Sequence, residues 1–261
     1  MSNLLVSCDD DGMDAGGGLL SGRVALVTGA SSGLGERFAR VLREAGADVV
    51  VTARRADRLQ RLAGELDAVA VAGDIASAAH RQAMAAVVAD RFGRLDILIN
   101  NAGVCDDGPL EDQTLDELNA VIQVNLVAVL DLCRLMAPLL FASDHGSVIN
   151  IASIYGLVAS RGPMAAYNST KGALVSLTRH LAAQWGPRRV RVNALAPGYF
   201  PSELTGMLAD PGFVTHIESQ TLLARAPSID ELDGPLLFLA SDASSYVPGH
   251  TLVVDGGWTC T

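Results

Sequence analysis

Tyr167 and Lys171 stand four residues apart in Tyr167-Asn168-Ser169-Thr170-Lys171. On a helix, positions i and i+4 share a face, so a phenol and an ammonium can meet in one site. A free tyrosine titrates near pH ~10 and is a poor proton shuttle at neutrality. A positive charge about 4 Å away, at an effective dielectric of about 20, favours phenolate by ~4 kcal/mol, or about 3 pKa units. The pair therefore reads as a general acid or base drawn toward working pH. Lys171 is also the one lysine among 19 basic residues, the rest being arginine. A guanidinium is bulkier and less apt to serve as a compact point charge in a tight site, which explains a lysine kept here.

Two further residues bear on the same chemistry. Ser153 precedes Tyr167 by fourteen residues and ends a strand-like run, where its hydroxyl can orient a carbonyl beside the phenol or cap a helix. Asn125 lies mid-helix in Val124-Asn125-Leu126, a polar residue among apolar ones that needs a buried partner.

These residues must be carried by a scaffold, and the hydrophobic pattern supplies one. Apolar runs at 23–28, 48–53, 68–73, 96–100, 146–153, 189–196 and 251–255 read as strands. Between them, helical spacing predicts helices over 34–45, 57–66 with Asp57 as its N-cap, the stretch to about residue 92, 115–140, 163–185 and 229–239. Strands apolar on both faces and separated by helices mark an α/β fold, a doubly wound seven-stranded parallel sheet with helices on both faces. No repeat or linker divides the pattern, so one Rossmann-type domain is expected over 21–261, behind an acidic, glycine-rich disordered tail at 1–20. Residues 198–228 have weak periodicity with several Pro and Gly and read as a functional lid or a disordered segment.

The first strand runs into Thr28-Gly29-Ala30-Ser31-Ser32-Gly33-Leu34-Gly35 and then a helix. Glycines at such a junction let the backbone approach a pyrophosphate, and the helix start offers unpaired N–H groups. An NAD-specific site places a carboxylate at the end of the second strand to hold the ribose 2′-hydroxyl. This chain has Ala53-Arg54-Arg55 there, with Arg58 one turn on. Forked guanidinium donors match a 2′-phosphate, and cations at a helix N-terminus are unfavourable without an anion nearby. NADP(H) is therefore expected over NAD(H). Asp74, in Gly73-Asp74-Ile75, is placed either to accept from the adenine amino group or to cap the next helix.

Composition removes other function classes. Asp and Glu outnumber Lys and Arg by 29 to 19 and no basic run occurs, which argues against nucleic acid or an anionic membrane as the main partner. Mean hydropathy is +0.30, yet no uninterrupted apolar run reaches the roughly 18 residues of a membrane span. Cys8, Cys105, Cys133 and Cys260 are widely spaced without a C-x-x-C, so no metal site is indicated and free thiols in a reducing cytoplasm are expected. The residues 1–18 carry acids where a signal peptide carries positive charge, and translation from Met13 in place of Met1 is an open alternative.

The glycine turn at 28–35, Asn100-Asn101-Ala102-Gly103, Asn125, Ser153, Tyr167 with Lys171, and Pro197-Gly198 occur in the order and spacing of one family. Over residues 21–261 the chain resembles the short-chain dehydrogenases/reductases, and Val254-Asp255-Gly256-Gly257-Trp258 is similar to the family's C-terminus. The resemblance implies a carbonyl/alcohol oxidoreductase with a tetrad of Asn125, Ser153, Tyr167 and Lys171. In it Tyr167 exchanges a proton with the substrate oxygen, Ser153 positions that oxygen, Lys171 lowers the phenol pKa and binds the nicotinamide ribose, and Asn125 holds a relay water. It implies cofactor contacts from Gly29, Ser31, Ser32, Gly33, Leu34, Gly35, Arg54, Arg55, Asp74, Ile75, Asn101, Ala102, Gly103, Tyr167, Lys171, Pro197 and Gly198. Where the family often has a threonine this chain has Pro201-Ser202, leaving Ser202 a candidate. A homotetramer, or a homodimer, paired through the helices near 115–140 and 163–185 is also implied.

The substrate is expected to be a small carbonyl or alcohol, with Tyr155 and Met164 near the tetrad; Tyr199, Phe200, Leu204, Met207, Leu208 and Phe213 read equally as an apolar lid over it or as packing against a neighbouring subunit. A 3-oxoacyl-acyl-carrier-protein reductase and a sugar or polyol dehydrogenase are the alternatives. The first needs a basic docking patch, and residues 137–148 contain no Lys or Arg. A regulatory NADP-binding protein without catalysis is the remaining class, disfavoured because both Tyr167 and Lys171 are present.

Overall fold

The computed structural model describes residues 18–106, 108–203 and 210–260. Seven parallel strands, β1 (Val24–Thr28), β2 (Asp48–Ala53), β3 (Val69–Ala72), β4 (Ile97–Asn100), β5 (Ser147–Ile151), β6 (Arg191–Pro197) and β7 (Thr251–Val254), form one sheet in the order β3-β2-β1-β4-β5-β6-β7. The order reverses between β1 and β4, which opens a crevice beyond the strands' carboxyl ends.

Alternation along β1 shows why the sheet needs two covers. Ala25 and Val27 point into one core with Phe38, Leu42, Leu59, Leu62, Leu236 and Leu239. Val24 and Leu26 point into the other with Met84, Val88, Leu132, Met136, Leu174 and Trp185. The first cover comes from α1 (Gly33–Glu44), α2 (Ala56–Leu66) and α8 (Asp233–Ala240), the second from α3 (Ala78–Phe92), α5 (Ala128–Phe141) and α6 (Ala165–Trp185). Each fully buried Leu or Ile contributes roughly 1.5–3 kcal/mol, and central strands exposed on neither face collect that from every residue.

Several expected boundaries shift for local reasons. Leu20, assigned to the tail, is fully buried in the first core; residues 1–17 of that tail, with Met13 and Cys8, lie outside the described residues. The N-cap of α2 is Arg55, and Asp57 instead sits in the first turn, where its charge favours the helix dipole. Ser77 caps α3, so Asp74 is not that cap; its Oδ1 accepts from Ala76 N at 2.9 Å in a tight turn. Within 198–228, expected to be irregular, lies α7 (Pro211–Gln220), capped by Asp210 with Pro211 in its first turn.

The helix expected over 115–140 runs from α4 (Leu115–Ile122) through a π-turn (Gln123–Val127) into α5. Over Leu115–Phe141 it is long and apolar enough to cross a membrane by length and composition, which a search for uninterrupted apolar runs overlooks. Val129, Leu132, Cys133, Met136 and Leu140 spend that apolarity in the second core.

Candidate active site

The carboxyl ends of β1, β4, β5 and β6 meet at a cleft of about 1130 Å³. Thr28 organises its floor: its hydroxyl donates to Ile99 O at 3.2 Å and accepts from Asn101 N at 2.9 Å and Ala102 N at 3.0 Å. The Asn101 amide donates to Thr28 O at 2.8 Å, so this side chain holds the glycine turn and leaves the backbone of residues 101–103 to line the cleft. Gly29 and Gly33 take positive φ of 70° and 54°. A Cβ on Gly29 would lie 2.9 Å from Ala102 Cα, and one on Gly35 only 2.3 Å from Gly29 O. The turn is thus a cradle that any side chain at these glycines would fill, set at the N-terminus of α1, and it fits a pyrophosphate.

Every cofactor residue expected from sequence lines this one cleft: Gly29, Ser31, Ser32, Gly33, Leu34, Gly35, Arg54, Arg55, Asp74, Ile75, Asn101, Ala102, Gly103, Tyr167, Lys171, Pro197, Gly198 and Ser202. The loop of residues 73–76 is fixed from behind by Arg81. Its buried guanidinium donates to Ile75 O at 2.6 Å and pairs with Asp131 at 2.6 Å.

At the far end of β2 the structure adds a residue that sequence reading missed. Glu203 accepts from Arg55 at 2.6 Å, from Arg58 at 2.6 Å and from Ser32 Oγ at 3.0 Å. These partners hold its carboxyl down to about 2, with the Arg58 and Arg55 hydrogen bonds as the main causes. The anion that an arginine-rich helix start requires is therefore supplied here by the chain itself. Arg55 also reaches across the glycine turn to Ser31 Oγ at 3.1 Å and Ser32 Oγ at 2.6 Å.

At the other end, Tyr167, Lys171 and Ser153 converge on the cleft. Asn100 and Asn150 form a buried amide pair at 2.8 Å, and Asn150 donates to Thr178 Oγ1 at 2.9 Å, tying β4, β5 and α6 together. The turn after Ser153 packs so tightly on α6 that a Cβ on Gly156 would lie 2.7 Å from Lys171 O. Ser153 stands two residues past the end of β5, not within it, just beyond Ala152, whose N–H makes the last bond to β6 at Leu195 O (2.8 Å); its hydroxyl accepts from Tyr155 N at 3.1 Å and also hydrogen-bonds Tyr167. Cap and orienting group are thus one hydroxyl.

The electrostatics differ from the expectation of a phenol lowered by its lysine. Burial pushes Tyr167 up to about 12, opposed by the Ser153 hydrogen bond and reinforced by Cys105 and Tyr155. Burial likewise pushes Lys171 down to about 8. The ammonium nitrogen donates to Ile151 O at 2.7 Å and stands 5.5 Å from the phenol ring centre. The 4 Å Coulomb argument took a fully charged neighbour; desolvation works against charge on both groups and outweighs it.

Asn125 does not line the cleft. Its side chain is buried in the π-turn, where Oδ1 accepts from Val104 N at 2.9 Å and Nδ2 donates to Val104 O at 2.8 Å and Thr170 Oγ1 at 3.2 Å. The expected buried partner exists: both Nδ2 protons and one lone pair of Oδ1 are engaged by Val104 and Thr170. A second unexpected residue is Asp106, which binds the first turn of α6 from a loop sixty positions away.

Near Tyr167 lies an aromatic cluster. Tyr155 and Tyr199 share a hydroxyl–hydroxyl bond of 2.5 Å, and Tyr199 packs edge-on against Phe213 and tilted against Trp258, each at 5.2 Å. His216 closes the group against Trp258 at 5.8 Å. Asp255 places Trp258 by accepting from Gly257 N at 2.9 Å and Thr259 N at 2.8 Å. Tyr199 and Phe213 of the expected lid gather here with Tyr155, while Phe200 is buried and lines the cofactor cleft. Leu204, Met207 and Leu208 lie outside the described residues.

Comparison with known proteins gives one consistent result. Residues 29–259 match a family model described as Enoyl-(Acyl carrier protein) reductase. The chain is 37% identical over 247 residues to a gluconate 5-dehydrogenase of Gluconobacter oxydans, covering 92% of this chain and 96% of that protein. It is 36% identical over 245 residues to a D-threitol dehydrogenase of Mycolicibacterium smegmatis, covering 92% and 94%. Among solved structures, a gluconate 5-dehydrogenase from Burkholderia cenocepacia in complex with NADP and tartrate superposes with a TM-score of 0.87 at 38% identity, covering 93% of this chain and 97% of that one.

Proposed function

The chain belongs to the short-chain dehydrogenase/reductase family and is an NAD(P)-dependent oxidoreductase acting on CH–OH groups; from that premise we propose that it interconverts a small polyol or sugar acid and its keto form, with NADP(H) preferred. The observation that carries the substrate class is the Tyr155–Tyr199 hydroxyl pair beside Tyr167, set in aromatic rings. Flat apolar faces edged by phenols suit a compact molecule that carries several hydroxyls. The gluconate and threitol dehydrogenases among its relatives support the same class. The NADP preference rests on Arg54, Arg55 and Arg58 at the end of β2.

A bound nicotinamide supplies the hydride donor or acceptor. The chain's own residues handle the proton and the geometry. Ser153 holds the substrate oxygen against Tyr167, whose buried phenol retains its proton at neutral pH and donates it as the carbonyl becomes an alkoxide. In oxidation the phenolate takes that proton back, so alkaline pH favours the reverse direction. Lys171, half-protonated near pH 8, braces the site through Ile151 O and is placed to hold the nicotinamide ribose. Gln123 and Val124, at the start of the π-turn, line the cleft, which makes Asn125 a positioning residue behind them.

A homotetramer through α5 and α6 belongs to the same reading, supported by an open groove along Leu130, Arg134, Phe141, Trp185 and Arg188. Cys105, Cys133 and Cys260 form no disulfide among the described residues, which suits a reducing compartment, and a cytoplasmic location is proposed with it. The test is a panel of polyols, sugar acids, simple ketones and 3-oxoacyl thioesters followed by nicotinamide absorbance with both cofactors. Turnover is expected to be fastest with a polyol or sugar-acid pair and NADP(H), and Tyr167→Phe inactive on every compound while still binding cofactor. Turnover confined to 3-oxoacyl thioesters would replace the substrate class.

A further inference from the structure

The position of Glu203 is hard to explain as ordinary surface pairing. It comes from the segment after β6, 148 residues from Arg55 in sequence, yet its two carboxylate oxygens divide between Arg55 and Arg58, with Ser32 Oγ as a third donor. Those donors are two forked cations just past β2 and a hydroxyl of the glycine turn, the set that would grip a phosphate monoester. The neighbouring Ser202 crosses the glycine turn closely enough that a Cβ on Gly33 would lie 3.1 Å from Ser202 Cβ.

We propose that Glu203 is a built-in occupant of the 2′-phosphate subsite, a carboxylate that the cofactor's phosphate must displace and that thereby sets how far NADP(H) is preferred over NAD(H). The inference rests on the reading that Arg54, Arg55 and Arg58 recognise a 2′-phosphate.

Magnitudes make displacement feasible. The side chains of Arg55, Arg58 and Glu203 are 39%, 42% and 51% exposed, and exposed ion pairs contribute little. A phosphate monoester carries about −1.5 to −2 charge and three acceptor oxygens, against one charge and two oxygens for the carboxylate. The phosphate wins the site, with its gain reduced by the cost of expelling Glu203. A ligand with a bare 2′-hydroxyl brings no anion to compete. Because the carboxyl stays ionised down to about pH 2, the contact persists across the working range and is not relieved by mild acid.

The experiment is calorimetric binding of NADPH, NADH, adenosine 2′-monophosphate and adenosine 5′-monophosphate to the intact protein and to Glu203→Gln. Binding alone is read, so a change in turnover cannot imitate the result. The substitution should tighten NADPH and the 2′-monophosphate by about three- to tenfold and leave NADH and the 5′-monophosphate unchanged. Unchanged or weakened binding of the 2′-phosphates overturns the proposal, as does equal tightening of NADH. The cofactor reading is judged separately, by the NADPH-to-NADH ratio of the unaltered protein and by Arg54→Ala. If that ratio favours NADH while Glu203→Gln still tightens the 2′-monophosphate, the preference fails and the displacement stands.

Discussion

Asp106 holds Tyr167 by its main chain: the carboxylate accepts from Tyr167 N at 2.8 Å and from Ala166 N at 3.0 Å. Met164, the N-cap residue just before α6, makes no side-chain cap bond. The first turn of the helix that carries Tyr167 is therefore capped from the loop after β4, and Gln113 Nε2 steadies the carboxylate at 3.4 Å.

Asp106→Ala should consequently cost about 1–2 kcal/mol of stability through the lost cap and lower kcat by about 10- to 100-fold through misplacement of the phenol. The KM for cofactor should change little, since the glycine turn is untouched. Asp106→Asn keeps an acceptor oxygen and should recover most of kcat. Equal losses in the two variants would mean that charge, and not the cap, is what Asp106 supplies.

Lys171 offers an unusually direct measurement, because one lysine means one side-chain amine signal in protein labelled at lysine. Its burial predicts a titration near pH 8, with the ammonium present below and lost above. The sign follows for stability: between about pH 8 and the unfolded value near 10.4 the unfolded chain binds the extra proton, so this group's contribution rises with pH. A signal titrating near 10.4 would show the amine solvated and the site more open than described.

Asn125 should behave as a brace. Asn125→Ala strips Val104 N–H and C=O of their partners, and about 1–3 kcal/mol of stability should be lost, seen as a lower urea midpoint at unchanged slope. Turnover should fall with the shift of the π-turn, while the pH dependence of kcat stays as before. A displaced pH profile would return Asn125 to the proton path.

Much of this architecture was legible because it is written in short range. The alternation Val24, Leu26 against Ala25, Val27 specifies a strand covered on both faces within five residues. Tyr167 and Lys171 share a helix face by spacing alone, and the glycines of the turn state where a backbone must come close. Asp210-Pro211 announced α7 as well, but the weak periodicity around it hid the signal.

What escaped the sequence lies across long separations or depends on solvent. Asp106 meets α6 sixty residues on, and Glu203 meets Arg55 after 148; no local pattern distinguishes either carboxylate from the chain's other acids. Charge states escaped for a different reason. Spacing says that Lys171 is near Tyr167, but only the closed interior decides that both lose water, and desolvation then outweighs their attraction. Sequence by itself determined which groups are candidates for chemistry and on which elements they sit, since those follow from period and turn. Tertiary structure decided which charges meet and how each group is protonated, because contact and burial belong to the folded chain as a whole.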